Sequence, residues 1–260
     1  MASQIDYLLH LADNALVLGQ RNAGWCGHGP AIEEDIALAN VSLDLIGQAR
    51  MLYQRAAQLK GGESTEDTLA YFRDAAEFRN YTLLELPHHA PLAANAAADR
   101  DYATTIVCNF LYSALMALLW EALQKSSDPQ LAAIAAKSLK EVRYHLRYSR
   151  DWLLRLGDGT EESHNRAQAA LDHLMPYTQE FWISSKAESE ASAAGIGVDL
   201  SKLRANWDTI VDHALQEATL TRSKAEGYVS QGKNGLHSEH LAYLLGELQG
   251  LARAHPQGCW

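Results

Sequence analysis

The placement of six prolines constrains this chain more than any other feature. They fall at Pro30, Pro87, Pro91, Pro129, Pro176 and Pro256 and leave long proline-free stretches between them. Proline in a helix interior removes a hydrogen bond and clashes with the preceding turn, whereas proline in the first turn is tolerated. Pro30 and Pro129 stand where long helical patterns begin, and Asp128 is placed to cap the second of these. Alanine and leucine together make up about 30% of the residues, well above valine and isoleucine, which favours helix over sheet.

Helical patterns run over roughly 3–20, 30–60, 66–85, 100–126, 129–156, 161–186, 199–222 and 238–254. The breaks are Gly61-Gly62, Leu86 to Ala98, Gly157-Asp158-Gly159, Ala194 to Gly197 and Gly232 to Gly235. No long polar linker and no internal repeat divides the chain. The expectation is a single all-α domain over residues 1–260, built around four helices of 20–30 residues.

With 47% apolar residues the chain has ample material for a core. A formal charge of −10, from 22 Lys+Arg against 32 Asp+Glu, argues against a nucleic-acid binder. Cys26, Cys108 and Cys259 are too scattered for a disulfide framework or a structural zinc site, and a reducing cytoplasmic compartment fits. The N-terminus has no basic opening and carries Asp6 and Asp13, unlike a signal peptide. No run of about 18 uncharged apolar residues is expected to cross a membrane.

Two helices are informative in detail. Over Ile32 to Leu59, at 100° per residue, Ile32, Ile36, Ala39, Leu43 and Ile46 gather on one face. Leu38, Val41, Leu45, Leu52 and Leu59 gather roughly opposite, with Asn40, Asp44 and Gln48 between. A helix apolar on two sides lies deep in a bundle or meets a partner. The helix with the Trp25 segment before it is therefore the expected partner interface, at Trp25, Ile32, Ile36, Leu43 and Ile46. An isolated chain would then self-associate as a two-fold dimer. Over Leu131 to Leu156 one apolar stripe includes His145, and Lys140, Arg143, Arg147 and Arg150 lie on the far side. That basic stripe reads as a solvated face paired with nearby carboxylates.

Ferritin-like di-iron proteins take metal in the bundle centre from two glutamates and two Glu-x-x-His pairs. Only Glu85-Leu86-Pro87-His88 and Glu161-Glu162-Ser163-His164 have that spacing, both at helix boundaries, and both read as surface polar residues. His145 is the core-facing helical histidine and reads as structural. His88-His89 reads as a loop pair, and His237-Ser238-Glu239-His240 as the capped start of the last helix. No phosphate-binding glycine loop and no nucleophile elbow occurs.

Several long blocks carry a specific resemblance. They are Gly24-Trp25-Cys26-Gly27-His28-Gly29-Pro30, Glu33 to Asn40, Leu43 to Arg50 and Asp128 to Ile134. Lys140-Glu141, Tyr144 to Arg147, Gly235 to Leu241 and the closing Pro256 to Trp260 continue it. Together they resemble the C-subunit family of bacterial phenylacetyl-CoA epoxidases over nearly the whole chain. The resemblance implies a ferritin-like fold without its own metal or other cofactor, acting as a non-catalytic scaffold for a di-iron A subunit. It also implies a small B subunit and a reductase carrying FAD and an iron–sulfur cluster and using NADPH. The assembled enzyme of that family epoxidises the ring of phenylacetyl-CoA with O₂ in aerobic phenylacetate degradation.

The same resemblance marks a lost metal site. Where the A-type relative has Asp-Glu-Ala-Gly-His, this chain has Asp44-Leu45-Ile46-Gly47-Gln48. Where it has Lys-Glu-Glu-Ser-Phe-His, this chain has Lys140-Glu141-Val142-Arg143-Tyr144-His145. Counting back from Trp25 puts the first-helix glutamate at Ala15, and the third-helix carboxylate falls near Ser113. The degenerate positions are thus Ala15, Leu45, Gln48, Ser113, Val142 and His145. The rival readings are a metal-dependent oxygenase with a rearranged site and a helical acyl-CoA-binding module that uses the basic stripe.

Overall fold

The computed structural model describes residues 2–89, 100–223 and 229–258. Pro91, Ala98, Cys259 and Trp260 lie outside the described residues. The expected all-α class holds: the described residues form ten α-helices and no strand beyond two isolated bridges. The helices are α1 (Ala2–Ala23), α2 (Ile32–Lys60), α3 (Glu66–Tyr71), α4 (Thr82–Glu85) and α5 (Tyr102–Leu123). They continue as α6 (Pro129–Gly157), α7 (Glu161–Leu174), α8 (Lys186–Ala193), α9 (Arg204–Glu217) and α10 (Glu239–Ala254). Long helices packed in pairs accord with a ferritin-like bundle.

The chain forms two compact units interleaved in sequence. One comprises Met1–Leu86, Ser185–Gly197 and Ser230–Trp260, and the other Pro87–Ser184 and Val198–Val229. In the first unit α1 and α2 run antiparallel. The Ser42 hydroxyl donates to the Gly19 carbonyl, and the Tyr53 hydroxyl reaches Asp13 at 2.5 Å. The contact at Gly19 is close, since a Cβ there would sit 3.1 Å from Ile46 Cγ1 and that side chain would have to give by a few tenths of an ångström. In the second unit α5 and α6 run antiparallel, with the Tyr102 and Tyr148 hydroxyls 2.7 Å apart. Asp128 caps α6 through the N–H groups of Gln130 and Leu131, with Pro129 in the first turn. At the other end of α6, Gly157 lies under the end of α9, where a Cβ would come within 2.2 Å of the Ala218 carbonyl oxygen.

Three of the expected helices are shorter or broken. The stretch 66–85 is not continuous. It stops at Tyr71, resumes as a 3-10 turn at Ala75–Glu77 and again as α4. Asp74 and Glu77 cap one another there, which starts a new turn instead of continuing the old one. The stretch 161–186 gives up its α form at Leu174, because Pro176 follows, and continues as a 3-10 segment, Met175–Trp182. The stretch 199–222 is α-helical only over Arg204–Glu217, and Thr219 turns with φ of 58°.

The expectation about apolar runs is also corrected. Helix α5 is long and apolar enough by length and composition to cross a membrane, with a mean hydropathy of 1.7 in its most apolar window. Of that window 78% is buried inside the chain, as in the core helix of a globular unit.

Candidate functional site

The six positions that the resemblance marks as degenerate divide between the two units. Ala15 on α1 and Leu45 and Gln48 on α2 are buried on the paired helices of the first. Ser113 on α5 and Val142 and His145 on α6 are buried on the paired helices of the second. The folded chain thus buries all six, as inward positions of long helices. A di-iron centre does not fit them. Ala15, Leu45 and Val142 are hydrocarbon, and Gln48, Ser113 and His145 supply no carboxylate to offset the charge of two iron ions. Among the described residues no three His, Cys, Asp or Glu side chains cluster for a metal ion.

The buried ionisable groups of the first unit lie elsewhere, and their partners are internal. Asp13, fully buried on α1, accepts from the Tyr53 hydroxyl at 2.5 Å, from Arg73 Nη1 at 3.1 Å and from the Arg79 N–H at 2.7 Å. Arg73 closes an ion pair with it and donates also to the carbonyls of Leu69 at 2.6 Å and Glu77 at 2.9 Å. Burial pushes the Tyr53 phenol well up, and the neighbouring Asp13 charge pushes the same way, so Tyr53 stays a neutral donor. This knot ties α1, α2 and the segment after α3 together, with both carboxylate oxygens of Asp13 engaged.

A second cluster corrects three expectations. Glu85 is not a surface residue of a failed Glu-x-x-His motif but is fully buried, and His88 is buried as well. The Glu85 carboxylate accepts from the Ser238 N–H at 2.5 Å and Asn80 Nδ2 at 2.9 Å, and meets His237 Nδ1 at 2.8 Å. Ser238 does precede α10, but its hydroxyl makes no cap bond, and the Glu85 carboxylate takes its backbone N–H instead. Burial would lower the His237 pKa, but the bond to Glu85 and its charge outweigh burial and raise it.

His145 is not the only histidine buried on a helix. His10, on α1, is equally enclosed. Its Nδ1 donates to the Arg79 carbonyl at 2.6 Å, and Nε2 sits 3.6 Å from Glu188. Burial lowers its pKa against the pull of Glu188. Glu188 pairs with buried Lys233 at 2.8 Å, and its own pKa falls, because His10 and Lys233 outweigh the burial that would raise it. No local pattern revealed these clusters. The paired residues stand far apart in sequence, as Glu85 and His237 do.

The outward side of α2 leaves four aliphatic side chains uncovered within the chain. Ile32 is 72% exposed, Ile36 55%, Leu43 66% and Ile46 37%. Leu38, Val41, Leu45 and Leu52, from the opposite face, are buried. Of the polar groups between the faces, Asn40 is exposed, Asp44 half-buried and Gln48 buried. Trp25, grouped with the exposed residues by sequence, is buried within the chain. On α6 the basic residues do face outward. Arg143 reaches Glu121 at 3.7 Å, and Arg150 holds both carboxylate oxygens of Glu217 at 2.7 Å.

The profile of the family described as "Phenylacetic acid catabolic protein" matches residues 1–260. The chain is similar to the C subunit of 1,2-phenylacetyl-CoA epoxidase from Escherichia coli (strain K12). The two are 44% identical over 254 residues, which cover 98% of each. A match of that length leaves almost no part of the fold outside the comparison, and the chain belongs to the phenylacetic acid catabolic protein family.

Proposed function

We propose that this chain is a non-catalytic scaffold subunit of a multicomponent phenylacetyl-CoA epoxidase, acting in aerobic phenylacetate degradation in the cytoplasm. The similarity to the E. coli epoxidase protein, spread over 98% of both chains, carries the reading. Residues 1–260 are read as one ferritin-like domain, in keeping with the span of the family match. Hydrocarbon at Ala15, Leu45 and Val142 supports placing the di-iron chemistry in a partner A subunit. The small B subunit and a reductase with FAD, an iron–sulfur cluster and NADPH complete the assembly.

The chain's own work is to hold and orient that A subunit. The exposed stripe Ile32, Ile36, Leu43 and Ile46 is the proposed interface, with Trp25 bracing the turn before it from inside. Leaving several aliphatic side chains wet on one helix forfeits burial and invites association, so a partner surface is the economical explanation. Free of its partners, the chain self-associates through the same stripe.

Co-expression with the A subunit of the same organism tests the reading. The two should co-purify, Leu43→Glu should reduce the yield of the complex, and iron should track the A subunit. An isolated chain that holds about one equivalent of iron or more, and loses it on His145→Ala, would overturn the scaffold role in favour of a metal-dependent oxygenase.

A further inference from the structure

We propose that the outward seam of α2 pairs antiparallel with the same seam of a second copy, and that Ile32 of each copy enters a cleft at the far end of the other's α2. The proposal rests on the interface reading of α2 and specifies the register in which the chain, free of the A subunit, pairs with a second copy.

The spacing comes first. Ile32, Ile36, Ala39, Leu43, Ile46 and Arg50 follow steps of four, three, four, three and four residues. That is a 3.5-residue repeat, the period of a seam along which one partner helix lies at a shallow angle. It differs from the broad inward face that α2 turns to its own unit.

The two ends of the seam are complementary. At the N-terminal end Ile32 projects, 72% exposed. Near the C-terminal end opens a cleft of about 140 Å³ lined by Leu16, Ile46, Ala49, Tyr53, Ala70 and Tyr71, with the Arg50–Glu66 pair among its polar walls. A two-fold axis between Ala39 and Leu43 sets Ala39 against Leu43, Ile36 against Ile46, and Ile32 against Arg50 of the other copy. Residues 32 and 50 are about 27 Å apart along the axis at 1.5 Å per residue. Each Ile32 then stands over the other copy's cleft, and one contact made twice closes the dimer.

Charge selects the same direction. The first turn of α2 carries Glu33, Glu34 and Asp35, while Arg50 lies well exposed at the other end. Antiparallel pairing brings Arg50 to the acidic turn of the other copy, whereas parallel pairing would set the acidic turns side by side. Gly47 adds an independent mark. A Cβ there would meet nothing within 4 Å, so the unit's own packing does not demand glycine. Glycine weakens a helix interior, and a bare backbone beside Ile46 suits the close approach of a second helix.

The test uses the full-length chain in light scattering, sedimentation and cross-linking. The wild type is expected to be a dimer. Ile32→Asp removes two seated side chains per dimer and should raise the dimer Kd at least about 100-fold, with an unchanged circular dichroism spectrum. Leu236→Asp, at an exposed apolar residue that is not on α2, should leave the dimer intact. Arg50→Glu should weaken it, and adding Glu33→Arg with Glu34→Arg should restore it. In a Cys26→Ser, Cys259→Ser background, a mixture of Ile36→Cys and Ile46→Cys chains should cross-link on oxidation, and neither alone should. A monomeric wild type, or a dimer indifferent to Ile32→Asp and lacking the 36–46 cross-link, overturns the proposal. Loss of A-subunit binding by Leu43→Glu is read separately, so the broader interface reading stands or falls on its own result.

Discussion

The knot around Asp13 yields the sharpest stability prediction. Replacing Asp13 with Asn keeps the shape but removes the charge that neutralises Arg73, whose side chain is only 8% exposed. Arg73 keeps its bonds to the carbonyls of Leu69 and Glu77, so part of its solvation survives. The Asn amide also has one acceptor oxygen for the Tyr53 hydroxyl, Arg73 and the Arg79 N–H, three donors that the carboxylate shares between two oxygens. Breaking one side of a buried ion pair costs about 3–5 kcal/mol. With a urea m value of roughly 2 kcal/mol/M, the unfolding midpoint should fall by about 1.5–2.5 M. The double variant Asp13→Asn with Arg73→Met leaves no buried charge, and should recover about half of the loss or more. Urea denaturation followed by circular dichroism measures the wild type and both variants. A single variant that shifts the midpoint by less than about 0.5 M, with m unchanged, would show that the pair is hydrated in solution and that the knot does not hold α2 in place.

Further outcomes follow from three histidines and from the proposed absence of iron. His145→Ala should destabilise the chain by about 1–3 kcal/mol through a lost hydrogen bond and a cavity, with A-subunit binding retained at temperatures where the variant is folded. The raised pKa of His237 means that its pairing with Glu85 stabilises fully below about pH 6.5 and fades as pH rises through the folded value. His237→Gln should therefore lose more stability at pH 6 than at pH 8.5 in paired urea titrations. His10 has the opposite sign. Its pKa is lowered, so the stability of its neutral form is present above about pH 6.5 and is lost on acidification. His10→Gln should shrink the acid-side loss of stability that the wild type shows. A strong iron chelator should leave the Tm unchanged, as differential scanning calorimetry would register.

Much of this architecture is legible residue by residue. Asp128 before Pro129 marks the start of α6 because capping and proline tolerance are local. The two faces of α2 follow from a period, and Leu38, Val41, Leu45 and Leu52 turn inward as that period requires. Pro176 is a stop signal within 161–186, and the apolar pattern running past it masks the break. Asp74 and Glu77 interrupt the pattern of 66–85 through a mutual cap that a hydrophobic period does not register. The buried ion clusters are not legible for a different reason. Glu85, Glu188 and Lys233 are buried and His237 is half-buried, yet all four are ionisable residues in loops or at helix ends, where surface exposure is the ordinary expectation. Their burial depends on partners supplied by distant segments, such as Ser238 for Glu85.

The chemistry of the inward positions bears on the proposed scaffold role. A di-iron protein buries several carboxylates that repel one another until the metal neutralises them, so its folding is coupled to iron. If Ala15, Leu45 and Val142 stand at the corresponding inward positions, as proposed, that repulsion is absent, and these buried hydrocarbon side chains pack there instead. Leu45 lies between Leu43 and Ile46, residues of the outward stripe, on the same helix. On the proposed reading, substitution on the inner face therefore fixes the outer one. On that reading α2, held by burial and by the Tyr53–Asp13–Arg73 knot, would present its seam to a partner whatever the supply of iron.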